Sequence, residues 1–281
     1  MNPELKALHG PNLFKWSLRA LRNWCEIILT FVIAHLWDHP IGYVLAWIIL
    51  GTRLHGLALL GHEGIHRCIS PNRRLNNFLA NILCALPLQQ TLNWFSKFHL
   101  DHHNHLQTND DPEIHFRGHS PKRWSLPLTP TKRTKLLLLD LSGIGVWESA
   151  NVLRHTFKSL GFWDLFLPLL FWASVWVIFW KLDLLWVPAM WSVVMLTSYW
   201  AMFRQRALVE HLGTNETHRT HATLVERFFF LPHNCWYHFE HHEWQGIPCW
   251  NLPKARKLET QTPVITLPVL FSNLAAKGQI Q

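Results

Sequence analysis

Four apolar runs in two pairs constrain this chain more than any other feature. The first pair is CEIILTFVIAHLW, Cys25 to Trp37, and IGYVLAWIILGTRLHGLALLGHEGIH, Ile41 to His66, with only Asp38–Pro40 between them. The second is FWDLFLPLLFWASVWVIFW, Phe162 to Trp180, and LLWVPAMWSVVMLTSYWAMF, Leu184 to Phe203, joined by Lys181, Leu182 and Asp183. A bilayer span needs about twenty mostly apolar residues. Runs of this kind joined by tight turns predict two helical membrane hairpins, over about 22–61 and 162–204. The alternative is an all-helical soluble protein that buries both hairpins. The first run reaches span length only by extending back through Leu21. Arg53 and His55, inside the second run, are expected to face the protein interior, because polar groups at membrane depth pair with protein rather than lipid.

The remaining segments are polar. Residues 1–22 are basic and read as a short amphipathic helix, without the pattern of a cleaved signal peptide. RCISPNRRL, residues 67–75, is a basic loop. NNFLANILCALPLQQTLNWF follows, broken by Pro87, and reads as lying at the membrane surface or dipping in partway. The whole chain, 1–281, reads as one domain, with polar histidine-rich segments over about 62–140 and 205–257. The 17 Trp and 17 Phe suit segments that meet a membrane interface. The formal charge of +8 has no basic helix or RNA motif to carry nucleic-acid binding. It fits a cytoplasmic membrane face instead. The two hairpin turns hold a single basic residue, Lys181, so the positive-inside bias places both termini and the histidine-rich segments in the cytoplasm. Five cysteines at irregular spacing, with no CxxC pair, give no disulfide framework.

Histidines then define the chemistry. There are 20, and most fall in four groups. HEGIH contains His62 and His66. HLDHHNH contains His99, His102, His103 and His105. EHLGTNETHRTH contains His211, His218 and His221. PHNCWYHFEHH contains His233, His238, His241 and His242. Residues three and four apart share a helix face, so each HxxHH group fans its imidazoles to one side. A histidine-rich storage tract would form one low-complexity run, whereas here HxxHH occurs twice, far apart. Isolated residues such as His9, His35 and His39 carry no such pattern. Imidazole suits Zn, Cu, Fe and Ni. A closed zinc site uses four ligands, so His62, His66, His99, His102, His103, His238, His241, His242 and a ninth, His211, are too many for one ion and suit two. Two redox irons beside a membrane would suit O2-dependent oxidation of a lipid. Glu63, Asp101, Glu210 and Glu240 sit next to these histidines and are candidates to orient ring nitrogens. Asn234, four residues before His238, is a candidate to hold a metal-bound water or to cap a helix. Arg206 and Glu210 are spaced for an ion pair.

These boxes resemble the integral-membrane fatty acid desaturase superfamily. The resemblance rests on His62–His66, His99–His103 and His238–His242 together. It extends to HHNHLQTNDDPE after the second box, to PHNCWYHFEHHEWQGIPCWNLP around the third, and to the Glu210–His211 pair. It covers about Phe31 to Lys257. It implies an all-α integral membrane protein: four transmembrane helices in two hairpins under a cytoplasmic helical di-iron cap. It further implies two iron ions as the catalytic centre, O2 as co-substrate, a lipid substrate and an external two-electron source. The chain lacks a haem motif of the cytochrome b5 type, so a separate ferredoxin or cytochrome b5-like carrier is expected. One departure is EWQGIPCW after the third box, where a Phe-Pro type pair is expected near Trp244–Gln245; it bears on substrate type.

The resemblance carries an expected reaction, desaturation of a fatty acyl chain in a lipid or acyl thioester. Hydroxylases and carotenoid ketolases share the same boxes and remain the alternative. Three other classes fit less well. A metal transporter would place ligands along a path inside the spans. A zinc hydrolase would need fewer ligands. A membrane scaffold has no use for paired HxxHH groups.

Overall fold

The computed structural model describes residues 3–148, 150 and 160–277. The extreme chain ends, expected on the cytoplasmic side, therefore lie outside the described residues. The described chain is all-α, with turns and loops between its helices. A single pair of two-residue parallel strands, β1 (Thr220–His221) and β2 (Ile265–Thr266), is the exception among the described residues.

Helix α1 (Leu13–Trp37) and helix α2 (Pro40–Ile65) form the first hairpin. Asn12 caps α1 by accepting from Lys15 N–H. Asp38, in the left-handed region at φ 43°, ends α1, and Pro40 starts α2, where a missing N–H costs nothing. The basic N-terminal stretch is not a separate amphipathic helix. From Leu13 onward it is continuous with the first apolar run, because no Gly or Pro interrupts it.

Helix α3 (Arg73–Ala80) leads into a π-turn at Asn81–Ala85 and a 3₁₀ turn at Leu86–Leu88. This irregular stretch packs inside the helices, and its backbone oxygens are satisfied by indoles. Trp24 Nε1 donates to Leu83 O at 3.1 Å, Trp172 Nε1 to Leu86 O at 3.0 Å and Trp191 Nε1 to Pro87 O at 3.1 Å. Non-helical backbone away from water requires such partners. Three of the abundant tryptophans thus support an interrupted segment rather than an interface belt.

Helix α4 (Leu92–Asn104) follows, capped by Thr91, then α5 (Pro112–Gly118) and α6 (Pro130–Leu141). The second hairpin comprises α7 (Phe162–Lys181) and α8 (Trp186–Leu196). The expected fourth span does not run straight through. It breaks at Thr197 and resumes as α9 (Ser198–Glu210). The break is docked: Trp47 Nε1 donates to Thr197 Oγ1 at 2.7 Å, and Ser198 Oγ donates to Trp47 O at 2.8 Å. Gly51 permits the approach, since a Cβ there would stand 2.6 Å from Ser198 Oγ.

Among the described residues two helices, α2 and α7, are long and apolar enough to cross a membrane. They behave oppositely. Most of α2 is buried inside the protein, whereas α7 buries only Asp164 and Pro168 and turns Leu169, Ile178 and Trp180 outward. An apolar helix with that much exposed surface is unlike the core helix of a water-soluble domain. Helix α1 has the length but carries Lys15, Arg19, Arg22 and Glu26.

Arg53 and His55 of α2 do face inward, at 4% and 0% exposure. Arg53 pairs with Glu26 of α1 and donates to Phe228 O. The last part of the chain forms helix α10 (Leu224–Phe229), helix α11 (His238–Glu243), helix α12 (Leu252–Leu258) and helix α13 (Leu267–Ala276). All five cysteines are free.

Candidate metal centre

Each histidine box is delivered by the end of a helix. His62 lies in the last turn of α2 and His66 immediately follows that helix. Gly64 between them lets α3 come close: a Cβ there would stand 2.4 Å from Ala80 Cβ, and Asn76 Nδ2 donates to Gly64 O at 2.8 Å. His99, His102 and His103 occupy the C-terminal turns of α4, His211 directly follows α9, and His238, His241 and His242 line α11.

The nine imidazoles separate into two groups. His62, His66, His99, His103 and His241 converge as one, and His102, His211, His238 and His242 as the other. The boxes therefore do not map one to one onto sites. In α4, His99 and His103, one turn apart, reach the first group while His102 reaches the second. In α11, His241 reaches the first while His238 and His242 reach the second. Two short helices hold both groups at a fixed separation.

The nitrogens that converge are Nε2. In the first group His66 and His99 are 2.8 Å apart, His99 and His103 2.9 Å, and His103 and His241 3.0 Å. In the second, His102 and His211 are 3.2 Å apart, His211 and His238 2.8 Å, and His238 and His242 3.1 Å. Two nitrogens bound at right angles about 2.1 Å from one ion would be separated by roughly 3.0 Å. The spacing thus matches adjacent ligands on a metal. His62 Nε2 is buried with no hydrogen-bond partner among the described residues, as expected of a ring nitrogen that spends its lone pair on an ion. The donor set fits two metal ions, with five and four imidazoles available.

The opposite ring nitrogens fix the tautomer in the second group. His102 Nδ1 lies 2.9 Å from Asp111 Oδ1, His238 Nδ1 lies 3.1 Å from Glu210 Oε1, and His211 Nδ1 lies 3.1 Å from the carbonyl of Glu216. Each acceptor holds the proton on Nδ1 and leaves Nε2 as a donor to metal. Burial keeps the rings neutral. It pushes the pKa of His66 to about 4, of His103 to about 3 and of His211 to about 4. His102 is the exception: burial opposes its charge, but the bond to Asp111 and the nearby Glu113 outweigh it and raise the pKa.

The neighbouring carboxylates expected to orient these rings divide. Glu210 does contact a ring, and it also forms the expected pair with Arg206 at 2.5 Å. Glu63 instead accepts from the Cys249 N–H at 3.1 Å, tying the second helix to the loop after the third box. Glu240 is fully buried and accepts from Arg219 at 2.6 Å and Arg256 at 2.7 Å. It faces away from the site because it sits on the opposite side of α11 from the imidazoles. Asp101 is exposed on the outer face of α4. Sequence reasoning missed two carboxylates, Glu113, 3.5 Å from His102 Nδ1, and Asp111. The signal of Asp111 was present as the Asp-Pro that starts α5, where Asp111 caps by accepting from Glu113 N–H.

Asn234 is also placed differently from a simple helical reading. His233 and Asn234 are left-handed at φ 53° and 66°, so Asn234 does not share a continuous helix with His238. It still reaches the centre. With His62, Arg206, His238 and His241 it lines a cavity of about 20 Å³, the room of roughly one water, and its Nδ2 donates to Cys249 O. Of the remaining histidines, His218 hydrogen-bonds Leu212 O and His105 is exposed, while His35 stacks on Trp186. His221 lies in β1, exposed, and His233 bonds Asn23 Oδ1.

Comparison with known proteins points the same way as this geometry. Relatives include the dihydrorhizobitoxine desaturase of Bradyrhizobium elkanii, 28% identical over 79% of this chain and 68% of that protein. The beta-carotene ketolase of Paracoccus sp. (strain PC1) is 26% identical over 88% of this chain and 94% of its own length. The zeaxanthin 4-ketolase of Chlamydomonas reinhardtii is 25% identical over 72% of this chain, which spans only 41% of that longer protein. The model of the family described as fatty acid desaturase matches residues 38–267, a stretch that takes in all nine converging histidines, and the chain belongs to that family.

Proposed function

We propose that this protein is a membrane-embedded, O2-dependent oxidoreductase that introduces a double bond into a fatty acyl chain of a lipid or acyl thioester. The observation that carries this reading is the five-and-four division of nine converging imidazoles at the ends of α2, α4 and α9 and along α11. Helices α1, α2, α7 and the broken α8–α9 pair would form four crossings. The histidine-bearing ends, the basic loops and the chain termini would then be cytoplasmic. The outward apolar surface of α7 and the burial of α2 support that arrangement.

Two irons, when bound, would supply the one-electron and O2 chemistry that side chains lack. Removing two hydrogens from the substrate, with two electrons from a carrier and two protons from solvent, would reduce O2 to two waters. A separate ferredoxin or cytochrome b5-like protein would supply those electrons.

The chain's own residues prepare the site. Glu210 and the Glu216 carbonyl hold the Nδ1 protons of His238 and His211, so the Nε2 lone pairs of those rings need no deprotonation, while Asp111 orients His102. Burial of His99, His102, His238 and His241 excludes bulk water. The tight packing around Asn234 leaves room for about one water beside His62, His238 and His241.

A second reading is hydroxylation or ketone formation on a lipid or carotenoid. It draws support from the two relatives named as ketolases. Aerobic expression with a matched electron carrier, beside His241→Ala, separates the two. A wild-type-specific lipid 2 Da lighter than its parent is expected. A product 16 or 14 Da heavier would replace desaturation with hydroxylation or ketone formation.

A further inference from the structure

His55 is fully buried in α2, and neither of its ring nitrogens has a hydrogen-bond partner among the described residues. It lies seven residues before His62, roughly 10 Å along the helix, on the side of the metal centre toward the apolar core. Its ring is flanked by Tyr199 and Phe203 of α9, each with centroids 6.4 Å away.

A second orphan lies close by. Helices α2 and α9 run side by side in the same direction, since Trp47 meets Ser198 and His55 meets Tyr199 and Phe203. Gln205 is on the face of α9 that carries Ser198, two helical turns further on. It is 6% exposed, and its Nε2 has no partner among the described residues.

The surroundings make this pair conspicuous. Asn23 donates to Arg53 O at 3.0 Å, His233 bonds Asn23 Oδ1 at 3.1 Å, and Arg53 pairs with Glu26. Asn23, Arg53 and His233 are therefore partnered. An unsatisfied buried donor or acceptor costs about 1–3 kcal/mol, and native proteins rarely keep one without a reason. The cavity beside the imidazoles also begins nearby, at Leu59, one turn beyond His55.

We infer that His55 and Gln205 receive an oxygen-bearing polar group of the substrate, a hydroxyl best of all, close to the carbon that is oxidised. A neutral imidazole offers one donor and one acceptor, and the Gln205 amide nitrogen offers donors. A hydroxyl can accept from one and donate to the other. An unsubstituted acyl tail can do neither. This inference rests on the proposed lipid oxidation at the neighbouring histidines, and it narrows the substrate to a chain that carries an oxygen function near the reacting position.

Equilibrium binding tests it without turnover. The intact protein, as purified with its metal and placed in lipid nanodiscs, is titrated with octadecanoic acid and with octadecanoic acids bearing one hydroxyl at successive positions. One or more hydroxylated isomers are expected to bind roughly tenfold tighter than the parent acid. His55→Leu and Gln205→Leu are each expected to erase that preference while leaving the parent acid's affinity and the iron content unchanged. Both replace an orphaned polar group with an apolar one of similar size, so thermal midpoints at or above wild type are expected. No preferred isomer, or a preference that survives both substitutions, overturns the inference and leaves a buried water as the partner. Failure of the proposed oxidation would appear separately, as absence of any mass-shifted lipid from cells while the binding preference persists.

Discussion

His102 links two levels of the metal centre: its Nδ1 stands 2.9 Å from Asp111 Oδ1, and its Nε2 stands 3.2 Å from His211 Nε2. Asp111 is completely buried and also accepts from the backbone N–H groups of Gln107 and Glu113. It therefore fixes the loop after the second box and the ring of one imidazole together. Asp111→Asn should weaken metal binding in the four-histidine group by about 10–100-fold, with the five-histidine group retained. Metal per chain, measured after dialysis against graded chelator, should fall from two toward one. Full retention of both ions would show that Asp111 serves the loop alone.

Division of the imidazoles into two groups gives a second expectation. His241→Ala removes a ligand from the five-membered group and His238→Ala from the four-membered group. Each should lower metal content and abolish oxidation of lipid while the helical content survives. His35, stacked on Trp186 and far in sequence from any box, should tolerate Ala with metal content unchanged. Loss of metal in His35→Ala would mean that the ligand assignment is wrong.

Acid sensitivity of the metal-free protein follows from burial. His66, His103 and His211 are held near 4, 3 and 4, below the ordinary 6.5, chiefly by desolvation. Between those values the unfolded chain binds more protons than the folded one, so stability falls as pH falls. Above about 6.5 these groups are neutral in both states and contribute no slope. Thermal midpoints of chelator-treated protein should drop steadily from pH 6.5 toward 4. A flat profile over that interval would count against buried neutral imidazoles.

How much of this was legible in the sequence depends on range. Eight of the nine converging histidines were readable from i,i+3 and i,i+4 spacing, because each box lies on or just beyond one helix, and His211 was a ninth candidate outside those boxes. Their sorting into five and four was not, because it depends on how α4 and α11 cross. The hairpin turns at Asp38–Pro40 and Lys181–Asp183 were readable from their polar residues. The break at Thr197 was not, since it is fixed by bonds to Trp47, 150 residues away. Glu63 and Glu240 misled for a related reason. Adjacency in sequence placed them beside ligands, but neighbouring helical residues point to different sides, and both turned to partners elsewhere in the chain.

Glu240 gives the sharpest stability expectation. It is fully buried between Arg219 and Arg256, themselves mostly buried, and Arg219 also donates to the carbonyls of Thr262 and Glu259. The carboxylate thereby ties α11, which carries the third box, to α12 and to the strand pair. Glu240→Gln would leave the Arg256 guanidinium without its counter-charge in a dry site, while Arg219 keeps Glu259 Oε2 at 2.7 Å. Breaking one side of a buried ion pair costs about 3–5 kcal/mol, against under about 1 kcal/mol for an exposed pair. Denaturant unfolding of the metal-free protein should register the larger loss. A double variant that also replaces Arg256 with Met should recover part of it, because the uncompensated charge goes with that arginine. A loss below about 1 kcal/mol in Glu240→Gln would mean that Arg256 finds another partner, and that the third box is held by packing against Leu252 and Trp236 rather than by charge.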